Sequence, residues 1–259
     1  MKKTVAIILC AFAVSLFSGC SFIVNLEVST YNYADPSSYT EYTELLELKT
    51  SGDELEYLSI EWINGEVEIS SGHIFTVYEE NTKGDYIPLY WKFDGDALSI
   101  RYAESGTPES KITNSKKKLV IVVPCPVSEI DLEVVNAKHT VLVRKVGKMK
   151  VDFVNGEGSF DLGSLREATF NGVNGDLGIT VRDVESTTAI EINTVNGDSV
   201  INLAEGKGVD VRFSSVNGKL SNEFADSDDT GGKITIKADT VNGDLSIKKY
   251  VPDEQGFIN

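Results

Sequence analysis

The sequence predicts an all-β protein, and three observations lead to that class. A short Asn-Gly motif recurs along the chain, apolar and polar residues alternate on both sides of it, and no helical period lasts three turns after the first 20 residues. Alternation with a period of two indicates strands with one buried face. Asn-Gly is typical of tight turns because both residues tolerate positive φ. Each unit should therefore be a strand, a turn, a second strand and a polar connector.

The motif repeats at a nearly constant interval. From Asn136 onward the asparagines follow one another at spacings of 19, 19, 22, 21 and 25 residues, which indicates one structural unit per turn. Val135-Asn136-Ala137-Lys138 is a copy that has lost its glycine. The intact copies are Ile63-Asn64-Gly65-Glu66, Val154-Asn155-Gly156-Glu157, Val173-Asn174-Gly175-Asp176, Val195-Asn196-Gly197-Asp198, Val216-Asn217-Gly218-Lys219 and Val241-Asn242-Gly243-Asp244.

Two further segments complete the repeat region. Phe93-Asp94-Gly95-Asp96, followed by alternating apolar residues, predicts an additional early unit with Asp in place of Asn. The polar segment Glu104–Lys118 predicts an insertion loop. We expect its basic residues to be solvated. These are Lys111, Lys116, Lys117 and Lys118.

Two architectures satisfy this pattern. In a parallel β-solenoid, each unit of about 20 residues is one coil and Asn-Gly forms a corner. In an antiparallel β-meander, each Asn-Gly closes a hairpin. Local patterning leaves both open, but one turn signal per unit and a near-constant repeat favour the solenoid. Its coils would stack about 4.8 Å apart.

The first residues predict export. Lys2 and Lys3 precede the apolar run Thr4–Phe17, and Phe17-Ser18-Gly19-Cys20 places small residues before a cysteine, as in a signal peptide. The run is too short to span a membrane, which takes about 20 apolar residues. The segment resembles the signal of bacterial lipoproteins, which implies cleavage before Cys20 and lipid attachment to its thiol. Phe17 departs from that pattern, where an aliphatic residue is usual, and an ordinary secretory peptide is the alternative.

The chain divides into four predicted segments: a signal peptide at 1–19, an anchor segment and candidate cap at 20–50, the β-repeat domain at 51–248, and a tail at 249–259. The segment before residue 103 is rich in aromatic residues and the later repeats are poor in them. Tyr and Trp stack on sugars and dominate binding hot spots. Here the rings mostly alternate as core residues do, so packing is the favoured interpretation.

Composition excludes some partners. The chain has 24 basic and 40 acidic residues, and loss of the two signal-peptide lysines takes the net charge from −16 to −18. Such a surface repels phosphate backbones and anionic lipid head groups, so nucleic acid is not an expected partner. Once Cys10 and Cys20 are accounted for, Cys125 is left alone in an apolar run, and we predict a small buried residue without a disulfide.

No catalytic or cofactor-binding residue is predicted. The two histidines, His73 and His139, are far apart and match no zinc-ligand spacing, and we expect both to be ordinary polar residues of a β surface. Neither Gly-x-Ser-x-Gly nor a phosphate-binding glycine loop occurs.

Carboxylates after the turns are the one candidate site. If the units stack in register, a column would form from Glu66, Glu157, Asp176, Asp198 and Asp244. Three interpretations are open: a solvated turn edge, a cation site with calcium on Asp176, Asp198 and Asp244, or a carboxylate pair acting on glycosides. The solvated edge is favoured, so no metal ligand is assigned.

The combination of features resembles a bacterial family described as "putative adhesin". The likeness covers roughly Leu55 to Ile247 and rests on the lipoprotein signal, the Val-Asn-Gly-Asp turns, the Leu-x-Ile strands and Leu119-Val120-Ile121-Val122-Val123-Pro124. It implies a parallel β-helix-like fold in exported, membrane-anchored proteins, without established catalytic residues. The expected function is an envelope-anchored lipoprotein whose non-catalytic surface binds a cell-surface polymer, a glycan or an envelope protein. A carbohydrate-active enzyme and an envelope-stress sensor are the alternatives.

Overall fold

The computed structural model describes residues 30–42, 46–48, 55–124, 126–183, 187–206, 208–224 and 233–251. Strand makes up 71% of it, which confirms the predicted all-β class. The signal segment, Cys20 and Cys125 lie outside the described residues. None of the helices found within those ranges is long and apolar enough to cross a bilayer.

Eighteen of the described strands form one large mixed sheet that is not closed, and β1 pairs with β9 apart from it. A short 3₁₀ turn covers Pro36–Ser38, and helix α1 covers Glu109–Asn114. The strands are β1 (Thr30–Tyr31), β2 (Thr40–Glu41), β3 (Leu46–Leu48), β4 (Tyr57–Trp62), β5 (Gly65–Ser71), β6 (Phe75–Lys83), β7 (Tyr90–Asp94), β8 (Ala97–Arg101), β9 (Thr107–Pro108), β10 (Lys116–Val123), β11 (Val127–Val135), β12 (Ala137–Val154), β13 (Gly158–Asn174), β14 (Leu177–Asp183), β15 (Thr187–Asn196), β16 (Ser199–Leu203), β17 (Gly208–Asn217), β18 (Leu220–Asn222), β19 (Lys233–Asn242) and β20 (Leu245–Lys249).

Successive repeat units pair in parallel and in register, and the word coil denotes one such unit, meaning the strands on the two sides of one turn. Strand segments that precede the turns form one row, in which β11 pairs with β12, β12 with β13, and β13 with β15. Segments that follow the turns form a second row, in which β13 pairs with β14 and β14 with β16. Among the described strands, no pair joins the two flanks of one Asn-Gly turn, so the hairpin meander does not describe these repeats.

The last two units exchange places in the stack. Strand β19 lies between β15 and β17, and β20 lies between β16 and β18. The unit of β17 and β18 is therefore outermost, although it comes earlier in the chain than the unit of β19 and β20. Nearly identical turns and alternation make every coil a compatible neighbour for every other, so the repeat pattern does not specify their order.

Two sequence predictions near the start of the repeats are wrong. The Phe93-Asp94-Gly95-Asp96 unit is a hairpin: β7 and β8 pair antiparallel, Asp94 lies opposite Ala97, and Gly95 has a φ of 67°. The predicted insertion loop Glu104–Lys118 contains β9, α1 and the first residues of β10. Strand β10 is paired on both sides, parallel to β5 and antiparallel to β6.

The core consists of columns of inward-facing residues that stack from coil to coil. Val151 lies between Leu132 and Phe170, and Phe170 lies next to Ile192, all without solvent exposure. Complete burial of such a side chain contributes roughly 1.5–3 kcal/mol. Because every coil adds a layer to each column, burial depends on the neighbouring coils rather than on the coil alone.

Several of the turns place one residue at positive φ, and they do so in two ways. In one, the glycine has positive φ, as at Gly175 (145°) and Gly197 (130°). In the other, the asparagine does, as at Asn136 (53°) and Asn155 (56°). Where asparagine takes the left-handed conformation, the next residue no longer needs the freedom of glycine. This explains why Ala137 is accommodated in the copy without glycine.

Gly175→Ala should destabilise the protein by more than about 2 kcal/mol, because alanine is strained at this φ and its Cβ would overlap the carbonyl oxygen of Gly156. Gly178→Ala is the matched control, since the atom nearest to its added Cβ is 3.9 Å away. We expect it to shift stability by no more than about 1 kcal/mol. Urea unfolding measures both, and equal midpoints would contradict the turn geometry.

Candidate functional site

Asparagine side chains form a continuous ladder along the turn corner. Every asparagine of the ladder except Asn136 donates its Nδ2 to the Oδ1 of an asparagine in a neighbouring repeat unit, at 2.7–3.0 Å. An amide can donate and accept at once, so each inner rung is held on both sides. Such a ladder requires identical residues stacked in register. Its spatial order is Asn136, Asn155, Asn174, Asn196, Asn242 and Asn217.

The aspartates beside the ladder bind backbone amides. Asp176 Oδ1 accepts the N–H of Asp198 at 2.8 Å, and Asp198 Oδ1 accepts the N–H of Asp244 at 2.8 Å. Asp244 Oδ1 accepts the N–H of Lys219 at 2.8 Å. Each carboxylate thus satisfies a donor of the next coil with a charge-assisted hydrogen bond. These aspartates link coils through their side chains.

Lysines interrupt the predicted carboxylate column. Glu66 lies between Lys118 and Lys138 in the strand register, so Lys138 separates it from Glu157. Lys219 follows Asp244 at the other end. The structure therefore brings together Glu157, Asp176, Asp198 and Asp244 but not Glu66. Lys138 and Lys219 each occupy the fourth position of a repeat copy, which is the signal that could have placed them in the column.

The calcium interpretation stays a prediction. Across the residues that the structure describes, no group of three or more His, Cys, Asp and Glu side chains is placed to hold a metal ion. In the column, one oxygen of each of the three candidate ligands is already bonded to a backbone N–H of the next coil.

Asp198→Ala should lower the free energy of unfolding by about 1 kcal/mol, because it removes the acceptor for the Asp244 N–H. Asp198→Asn keeps an Oδ1 acceptor and should leave stability nearly unchanged. Urea unfolding of the two variants, with and without calcium, measures the difference. If Asn destabilises as much as Ala, and calcium stabilises only the wild type, the column is a cation site instead.

A carboxylate pocket lies elsewhere, on the outer face of the first row. Glu61, Glu133 and Asp152 are in register on β4, β11 and β12, and they line a cavity of about 130 Å³ that α1 borders with Glu109. Glu61 pairs with Arg101 at 3.2 Å. Three neighbouring strands thus bring three carboxylates to one wall of the cavity.

Glu133 has the most perturbed carboxyl group of this pocket. Burial raises its pKa to about 7, the charges of Glu61 and Asp131 add to that rise, and Lys150 opposes it. A carboxyl group with a pKa near neutrality beside other carboxyl groups is a feature of acid–base sites. Sequence analysis missed Glu133 because an outward-facing strand position indicates solvent, and α1, which borders this cavity, was predicted to be loop.

Glu133→Gln should stabilise the protein above pH 7. The folded-state pKa lies above the ordinary value of 4.5, so the stability linked to protonation is complete below pH 4.5 and is lost as pH rises through 7. Glutamine stays neutral, and its advantage at pH 8 should be about 1–2 kcal/mol after discounting for solvent screening. Urea unfolding at pH 4.5 and pH 8 measures it. The control Glu167→Gln, at an exposed position of β13, should show no such difference.

A buried lysine contradicts the prediction of a solvated basic loop. Lys117 has no solvent exposure, and its Nζ lies 2.8 Å from Glu79 Oε2 and donates to the carbonyl oxygens of Ile87 and Tyr102. Burial lowers its pKa to about 8, against the opposing effect of Glu79. The ammonium also lies 4.3 Å from the ring centroid of Tyr102 and 4.8 Å from that of Trp62. This ion pair joins β6 to β10.

His139 is also buried, whereas sequence analysis predicted an ordinary surface residue. Its ring packs against Phe153 and Phe160, and its Nδ1 lies 3.3 Å from the carbonyl oxygen of Ala137. Burial lowers its pKa to about 4, so the ring is neutral at physiological pH. His73 is exposed, as expected.

The aromatic residues of the N-terminal third mostly pack. Tyr31, Tyr33 and Trp62 are buried in the core cluster, and Trp91 packs against it. Among the described residues of this segment, the exposed rings are Tyr57 and Tyr86, at 45% and 55%. For the buried rings, the packing interpretation therefore holds over the sugar-stacking one.

Comparisons with known proteins found similar structures only. No protein-family model matches the chain, and no curated protein matches it. A solved "putative cell adhesion protein" from Clostridium sporogenes ATCC 15579 is 11% identical, with a TM-score of 0.47 over 82% of this chain and 100% of that one. A solved "putative adhesin" from Bacteroides fragilis NCTC 9343 is 11% identical, with a TM-score of 0.32 over 79% of this chain and 98% of that one. Both TM-scores lie below 0.5, so neither likeness indicates a function for this chain.

Proposed function

We propose that the protein is an envelope-anchored lipoprotein that presents a rigid, non-catalytic β-repeat surface outside the cytoplasm. The hydrogen bonding of the aspartates in the carboxylate column is the observation that supports a non-catalytic role. One carboxylate oxygen of each aspartate accepts a hydrogen bond from a backbone N–H of the next coil, and the three residues are Asp176, Asp198 and Asp244. Side chains engaged in this way hold the scaffold together and are poorly placed to act as acid, base or nucleophile.

The proposed architecture is a parallel β-solenoid. In-register parallel pairing between successive repeats supports it, as does the asparagine ladder. The repeat domain would then be an elongated stack on the anchor segment at 20–50, with a short tail at 249–259. A stack of this kind displays an extended surface, which suits a long or repetitive partner.

The displayed face of the first row carries charges of both signs. Glu129 pairs with Lys148 at 3.2 Å and Glu191 with Lys237 at 2.6 Å, each across neighbouring coils and partly solvated. The whole chain is nevertheless strongly acidic. We infer a partner rich in hydroxyl and amide groups, such as a cell-surface polymer, a glycan or an envelope protein, and not a nucleic acid.

A carbohydrate-active enzyme is the second candidate, and the perturbed Glu133 in its pocket is the observation that favours it. Neighbouring parallel strands lie about 4.8 Å apart, which suits a pair of acid–base carboxylates. Glycan cleavage by the wild type that disappears in Glu133→Gln would establish this activity. Binding of glycans without cleavage, unchanged in the same variant, would support the presenting surface.

Cys20→Ala should abolish lipid attachment. When the full-length chain is expressed in bacteria with radioactive palmitate, we expect label on the wild type and none on the variant. Fractionation should place the wild type in membranes, because several acyl chains on one residue anchor stably. The variant should still be exported but should leave the membrane fraction.

Cys125→Ala is the matched control and should be labelled like the wild type. Equal labelling of wild type and Cys20→Ala, or export without label in both, would contradict the anchor. Export without label would make it a freely secreted repeat protein, whereas equal labelling would mean that the lipid is attached to a residue other than Cys20.

A further inference from the structure

Within the described residues, the outermost coil leaves the end of the core open. Strand β17 pairs with β19 on one side, and none of the described strands pairs with its other side. Val209, Val211 and Phe213 face inward from β17 but are only partly buried. Their register neighbours on β19, namely Ile234, Ile236 and Ala238, are fully buried. Val216 and Leu220 of the same coil are 64% and 43% exposed.

The opposite end of the stack is closed differently. There β8 pairs antiparallel with β7, and the next strand is β2, which has two residues, both exposed. Very short edge strands with charged residues resist pairing with other chains, whereas a long edge strand with apolar residues invites it. The ten-residue β17 is an edge of the second kind. A head-to-tail contact, in which β17 of one copy pairs with the β2 end of another, is therefore disfavoured. The remaining arrangement is a contact between the β17 edges of two copies.

The outward residues of β17 carry an unpaired positive charge. Arg212 is exposed and makes no ion pair with any described residue, and its register neighbour on β19 is Lys237. Asp210, two residues earlier, pairs with Lys233 at 3.2 Å and keeps part of its carboxylate in solvent. A carboxylate opposite Arg212 would relieve the repulsion by Lys237.

The sequence Val209-Asp210-Val211-Arg212-Phe213 is complementary to itself when reversed. If two copies of β17 pair antiparallel with Val211 opposite Val211, then Asp210 lies opposite Arg212 twice and Val209 lies opposite Phe213 twice. Opposite charges and apolar pairs stabilise neighbouring strands, and like charges destabilise them. Shifting the centre by one residue places Asp210 opposite Asp210 or Arg212 opposite Arg212. One register therefore satisfies both faces.

We infer that β17 pairs with β17 of a second copy of this chain, antiparallel and with Val211 on the two-fold axis. The contact is isologous, so it closes as a dimer and does not propagate into a fibre. It joins the two open cores into one and supplies Arg212 with a carboxylate. This inference does not depend on the lipid anchor.

A cysteine on the axis tests the contact directly. Val211→Cys in the full-length Cys125→Ala chain places two thiols on directly opposed residues, within the separation that a disulfide spans. Mild oxidation of the expressed protein should give a band near twice the mass of its reduced form. Arg166→Cys, at an exposed position of the interior strand β13, is the matched control and should give little of this band. It reports disulfides that form by random collision or through Cys20.

Charge variants in the Val211→Cys background test the register. Arg212→Glu should reduce the crosslinked fraction at least fivefold, because it places two acidic pairs across the axis. Arg166→Glu, the same change of charge elsewhere, should leave it unchanged. The double change Asp210→Arg with Arg212→Asp should restore crosslinking, and its recovery would also show that the strand still folds.

The inference is overturned by equal crosslinking at 211 and 166, by none at either position, or by a double variant that stays as poorly crosslinked as Arg212→Glu. Absence of crosslinking would indicate that another segment of the same chain covers the free edge of β17.

Discussion

In-register stacking of parallel strands is the constraint on which the rest of this molecule depends. A parallel pair brings equivalent residues of successive repeats next to each other, so every position of the repeat becomes a column. Inward columns become the core, and the corner column becomes the asparagine ladder from Asn136 to Asn217. A residue type is then favoured if its side chain interacts well with the same residue type on the next repeat. Asparagine does so well because it donates and accepts, and aspartate does so by bonding to backbone.

The class of fold and the position of the corners could be predicted from the sequence because both are local properties. Alternation and Asn-Gly describe what one segment does, and the structure bears out the resulting strands and turns. Strand order is not local. Nothing in Val216-Asn217-Gly218 or Val241-Asn242-Gly243 states which lies nearer to Asn196, and the chain places Asn242 there. The Asp94-Gly95 turn shows the same ambiguity, since it closes a hairpin although its pattern resembles that of the repeats.

The buried charges were beyond sequence reasoning for a related reason. Lys117 has charged neighbours in sequence, and Glu79 is 38 residues away, so only the antiparallel pairing of β6 with β10 brings their side chains together. His139 occupies an alternating position in which a polar residue was expected outside, yet its ring lies among phenylalanines. Glu133 is perturbed by residues on two other strands. In each case the environment is created by residues that the fold brings together and that are not immediate neighbours in the sequence.

The exchanged order of the last two units bears on how the chain folds during synthesis. As the protein emerges from its N-terminus, β17 is available before β19 exists, and the open edge of β15 is then a matching partner for it. The native arrangement requires that this edge be kept for β19 or be surrendered to it later. Repeat proteins of uniform order add each coil to a finished end. Here completion of the stack waits for β19 and β20, and removing them would take away an inner layer while leaving the outermost strand without its neighbour.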